Sequence, residues 1–171
     1  MGSLQKLDWS KRPGTLRSGY FGELLNAVLT PKIIKKVDVV PVDNTNQNDF
    51  WLRELPKYNF HYAIRQTRDV YPNKPFVKGF TAAHCNANIL IQDSEKEAVR
   101  WLGKDYPYLV HGEVTEKKIL EMLKYAKKSF GSEVWIRGLE TMRKIREKTS
   151  EEAIGKQLVK LLEREVKMES F

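Results

Sequence analysis

One cysteine, Cys85, stands in a chain of 171 residues. A single thiol excludes an internal disulfide framework and any Cys-based zinc site. The three histidines, His61, His84 and His111, fall at no spacing that would let two of them share a metal ion. His84 and Cys85 are neighbours, and neighbours on a helix do not face each other, so they make no nucleophile–base pair. No apolar run approaches the roughly 20 residues of a membrane span. The N-terminus has no apolar signal region, and its Met-Gly-Ser opening carries no weight. Internal repeats and low-complexity segments are absent. The expectation from these absences is a cytoplasmic protein without a transmembrane segment.

What is present is an ordinary globular balance, 41% hydrophobic and 30% charged. The length suits one domain with a real core. Residues 1–14 show no periodicity and are expected to form a leading arm, with a single domain over 15–171. The formal net charge of +8 and pI near 9.5 favour anionic partners. From Arg53 to Lys78 six basic residues stand against two acidic ones. The remaining lysines fall mostly on amphipathic helices, where a solvated face explains them. No nucleic-acid-binding motif is present, and the aromatics read as core rather than interleaved with Lys and Arg for base stacking, which argues against a nucleic-acid partner. Trp51, Trp101 and Trp135 in particular are expected to anchor the core.

Strand-like and helix-like patterns alternate. A short strand leads through Gly19 and Gly22 into a helical pattern with Leu24, Leu25 and Val28 on one face. Thr30-Pro31 predicts a helix start, with threonine as cap and proline at the first position. The run "VDVVPV" predicts a strand, "DFWLRELPKY" a short helix, and "NFHYAIR" a strand ending at Arg65. His61 within that strand is expected in the core. The stretch "KPFVKGFTAAHCNANILIQD", Lys74 to Asp93, predicts a helix from about Pro75 to Cys85 and a buried strand from Ala87 to Ile91. Ser94 with Glu97 has the form of a capping box for a helix through Leu102, and Thr149 with Glu152 the form of another. "YPYLV" is a further short strand, and the chain is helical after Thr115. The fold class that follows is α/β: a Rossmann-like parallel sheet with helices on both faces and a helical C-terminal extension.

In such sheets ligands bind beyond the C-terminal strand ends. Gly19 and Gly22 follow the first strand in this reading, Asp43 and Asn44 the second, Arg65, Gln66 and Arg68 the third, and Asp93, Ser94 and Glu95 the fourth. Lys74, Lys78 and Thr81 open the helix after the third strand. A helix N-terminus suits phosphate, and Arg65, Lys74 and Lys78 would add full positive charges there. That is a coherent diphosphate site. Its alternative is a pair of ordinary surface lysines on the first helical turn.

The order "RSGYFGELLNA", "DFWLRELPKYNFHYAIR", "KPFVKGFTAAHCNANILIQDSEKEAVRWLG" resembles the nucleotide-sugar-binding C-terminal domain of GT-B-fold glycosyltransferases, over roughly residues 15 to 165. The resemblance implies that Gly19 and Gly22 approach the donor diphosphate, and that Arg65 with Lys74 or Lys78 contacts it. It implies further that Asp93 or Glu95 holds ribose or sugar hydroxyls. It implies electrostatic stabilisation of the departing diphosphate without an obligatory metal, the nucleotide sugar being donor substrate rather than cofactor. The acceptor, and usually the catalytic base, belong in this family to another domain, which split members carry on a separate chain. The pair of glutamates seven residues apart found in many retaining members has no clear counterpart, and no catalytic residue is assigned. A non-catalytic Rossmann-like module that binds a nucleotide or a partner protein stays open beside the transferase.

Overall fold

The structure, a computed structural model, describes residues 7–8, 13–42, 50–66 and 75–168, with side chains to 164. The expected leading arm lies largely outside these residues, as do Asp43, Asn44, Arg68 and Lys74.

Among the described residues five parallel strands form one sheet: β1 (Ser18–Gly22), β2 (Asp38–Pro41), β3 (Phe60–Tyr62), β4 (Asn88–Gln92) and β5 (Leu109–Val110). Their order is β2-β1-β3-β4-β5. Strand β1 lies between β2 and β3, with Tyr20 paired to Val39 on one side and to Tyr62 on the other. β4 is buried along its whole length, as a strand covered on both faces must be. The helices α1 (Pro31–Ile34), α2 (Phe50–Glu54), α3 (Val77–His84) and α4 (Lys96–Leu102) fall between the strands. The chain ends in α5 (Glu116–Ser129), α6 (Glu133–Lys148) and α7 (Glu151–Met168). The fold is thus the α/β, Rossmann-like parallel sheet flanked by helices, with a helical C-terminal region.

Side chains alternate across the pleat. Tyr20, Phe60, Tyr62 and Leu90 join the larger core with Ile33 of α1, Ile119 and Leu123 of α5, and Met142 of α6. Phe21 and Val40 join a smaller cluster with Leu55, Tyr58, Cys85 and Ala87, against which Trp51 and Leu52 of α2 pack. Trp135 is buried, as expected, while Trp51 and Trp101 are half-buried.

Four local expectations change. The helical pattern after Gly22 is a three-residue 3-10 turn, Leu24–Asn26, with Leu24 and Leu25 exposed. The strand expected to reach Arg65 ends at Tyr62, and Arg65 makes an isolated antiparallel bridge to Ala27. Ser94 does not cap α4: Glu95 occupies the cap position, and Glu97 accepts from Trp101 Nε1 at 2.9 Å. Thr149 closes α6, and Ser150 caps α7 by accepting from Ala153 N at 3.1 Å. Thr30 caps α1 through Ile33 N, with Pro31 opening the helix, as the sequence predicts.

Candidate functional site

Strand order reverses direction at β1 and β3, because the chain runs from β1 outward to β2 and then returns past β1 to β3. The carboxyl ends of those two strands therefore diverge into separate connections and leave a crevice. A cleft of about 560 Å³ occupies this place. Its walls are the end of β1 with the following turn (Tyr20 to Glu23, Asn26), β3 and its continuation (His61 to Ala63, Arg65), and the start of α3 (Val77, Lys78, Thr81). Val42 after β2, Trp51 of α2, Pro75 and Phe76 ahead of α3, Ile91 of β4, and Glu95 and Ala98 at α4 complete it.

Gly22 sits at the rim with φ +151°, a conformation that L side chains rarely adopt. A Cβ there would lie 2.5 Å from Lys78 Nζ and 3.0 Å from the Tyr20 hydroxyl. The absence of a side chain is what lets Lys78 cross from α3 to the end of β1. Its ammonium donates to the Phe21 carbonyl and lies 4.1 Å from the centroid of the Tyr20 ring. Tyr20 in turn donates from its hydroxyl to the Glu23 carbonyl at 2.6 Å. Lys78 is the second residue of α3, and among the described residues no side chain caps that helix at Phe76. Its ammonium thus adds a full charge beside the positive end of the helix.

Arg65 and Glu95 form a forked ion pair, with guanidinium–carboxylate distances of 2.6, 2.7 and 3.0 Å. Both side chains are about four-fifths buried. Gln92 fixes the backbone of Arg65 from both sides, accepting from its N–H at 2.9 Å and donating to its carbonyl at 3.3 Å. The two residues that the resemblance assigned to different parts of a donor are here each other's partner. Thr81 lines the cleft and donates its hydroxyl to the Val77 carbonyl at 3.1 Å.

The structure therefore brings Gly22, Arg65, Lys78, Thr81 and Glu95 together, and it places two other residues elsewhere. Gly19 lies inside β1, where a Cβ would meet the Tyr58 ring at 2.7 Å. Its smallness serves packing against Tyr58. Asp93 turns toward the loop after β5, accepting from His111 Nδ1 at 3.0 Å and from Gly112 N at 3.2 Å. Lys74 lies outside the described residues.

His61 is 3% exposed, as a core reading requires, yet it also lines the cleft. Its ring packs 5.0 Å from that of Phe21. Burial, helped by the Lys78 charge, pushes its pKa down from 6.5 to about 3, so the imidazole is neutral. Sequence pattern alone hides this second role, because a histidine between Phe60 and Tyr62 looks like any strand residue. The same holds for Tyr20, Tyr62 and Trp51, whose rings read as core and also border the cavity.

Compared with known proteins, the chain matches no protein-family model and no curated sequence. Among the described residues no group of three His, Cys, Asp or Glu side chains could hold a metal ion, and no helix is long and apolar enough to cross a membrane.

Proposed function

We propose that the cleft between β1 and β3 binds the diphosphate of a nucleotide-sugar donor, and that the protein works in glycosyl transfer of the GT-B type with an acceptor held by a separate domain or chain. The observation that carries this reading is the convergence of three anion-favouring features at one point: the side-chain-free turn at Gly22, the ammonium of Lys78 and the N-terminus of α3. The aromatic remainder of the lining supports it, since a nucleotide presents a flat base as well as its phosphates.

On this reading the bond between the anomeric carbon and the β-phosphate oxygen breaks, and its electrons stay on the diphosphate. Lys78 and the helix N-terminus stabilise that charge as it develops. The acceptor hydroxyl forms the new bond, and its proton goes to a base on the acceptor side. Arg65 is held by Glu95, so the leading electrostatic role falls to Lys78.

The test is calorimetric titration and thermal shift of the full chain with UDP, GDP, ADP, CDP and their sugar conjugates, at low and high salt. A nucleotide at 100 times its dissociation constant stabilises by about 2.7 kcal/mol. Lys78→Ala is expected to weaken binding at least about tenfold. Gly22→Ala should weaken it as well, and lower stability by about 1–3 kcal/mol through its strained φ. The absence of any nucleotide-dependent shift in the wild type would overturn the reading.

A further inference from the structure

Among the described residues two buried side-chain polar atoms have no hydrogen-bond partner, Ser18 Oγ and His61 Nε2. Ser18 opens β1, at the end of the strand away from the cleft. His61 lines the cleft itself. An unsatisfied buried nitrogen carries a real energetic cost, and a folded protein that keeps one calls for a group that meets it.

The surroundings of that nitrogen narrow what the group is. The His61 ring stands against Phe21 in the cluster that also receives Trp51 and Val42, and all four residues line the cleft. This wall is apolar and largely aromatic. The nearby cation, Lys78, sits at the Phe21 carbonyl and Tyr20 ring, toward the anion-favouring rim. A neutral imidazole nitrogen in an aromatic wall offers one directional hydrogen bond and no countercharge. It suits the uncharged polar edge of a flat ring and does not suit a phosphate.

We propose that His61 Nε2 hydrogen-bonds the edge of the ligand's base, seated against the Phe21–Trp51 wall, and that His61 sets which base the cleft accepts. This inference rests on the reading of the cleft as a nucleotide site. Phosphate binding and base selection are then separate in the structure: Lys78 serves the first and His61 the second.

The experiment titrates wild type, His61→Phe and His61→Asn full-length chains with UDP, GDP, ADP, CDP and inorganic pyrophosphate. The wild type should bind one nucleoside diphosphate more tightly than the others and more tightly than pyrophosphate. His61→Phe should lose about tenfold of that preference, the worth of one buried hydrogen bond, with pyrophosphate affinity unchanged. His61→Asn, which keeps a polar atom, should recover part of it. In wild-type protein carrying 15N-labelled histidine, the preferred nucleotide should shift the His61 Nε2 resonance, and pyrophosphate should leave it in place. That measurement decides the matter even if His61→Phe does not fold. Undiminished base preference in His61→Phe, or an Nε2 resonance that no nucleotide moves, would overturn the inference. A wild type that binds pyrophosphate as well as any nucleotide would also overturn it and leave the anion site standing. A wild type that binds neither would remove both.

Discussion

His61 links the acid tolerance of the fold to a single side chain. In the unfolded chain it takes up a proton near pH 6.5, while in the folded protein it resists protonation down to about 3. Between those values the unfolded state binds more protons, so stability rises with pH and is lost as pH falls. The limiting slope for one group is about 1.4 kcal/mol per pH unit. His84, half-buried and also shifted down by burial, adds in the same sense. Urea unfolding at pH 7 and pH 5 should therefore show a steep loss of stability in the wild type and a shallower one in His61→Phe. Equal slopes would mean that His61 is not buried neutral. The residue scale is also where sequence reading stops soonest. Lys78 could be placed on the first turn of α3 from the pattern after Pro75, and Gly22 at the end of a strand. The Arg65–Glu95 pair could not, because the partners stand 30 positions apart and meet only through the parallel pairing of β3 with β4.

Elements were more legible than their ends. Strands β2 and β4 follow from β-branched and apolar runs, and the start of α1 follows from Thr30-Pro31, because these signals are local. The helix expected after Gly22 fails because Leu24 and Leu25, though at helical spacing, find no core to enter. Spacing states which side chains share a face and is silent on whether anything covers that face. The docking of α6 on β4 depends on a buried polar network that no local pattern announces. Asn88 donates to the Trp135 carbonyl at 3.1 Å and accepts from the Tyr106 hydroxyl at 3.1 Å, and that hydroxyl accepts from Ile89 N at 2.9 Å. Asn88→Ala removes one member and strands the others in a buried site. It should cost about 1–3 kcal/mol, read from the urea midpoint. A change near zero would mean that water replaces the asparagine.

Across the whole molecule the packing is uneven. The sheet and its covering helices hold the buried side chains, whereas Ile154, Leu158, Val159, Leu161 and Leu162 of α7 are 46% to 58% exposed. Leu158→Gln with Leu161→Gln should leave stability within about 0.5 kcal/mol of wild type, measured by urea unfolding, because neither side chain is withdrawn from water. A larger loss would show that this face is covered in solution. The net charge of +8 acts at the same scale, drawing anions toward the protein without choosing among them.

The position of that cleft between β1 and β3 also has a kinetic meaning. Ser18 pairs with Phe60 across on the order of 40 intervening residues, a longer excursion than separates β1 from β2, β3 from β4 or β4 from β5. The entropy of closing that excursion must be met before the two strand ends stand side by side. Until then the chain has helices and strand pairs but no crevice. A molecule that fills the crevice acts on the finished protein: it holds the gate shut against unfolding and leaves the speed of folding as it was.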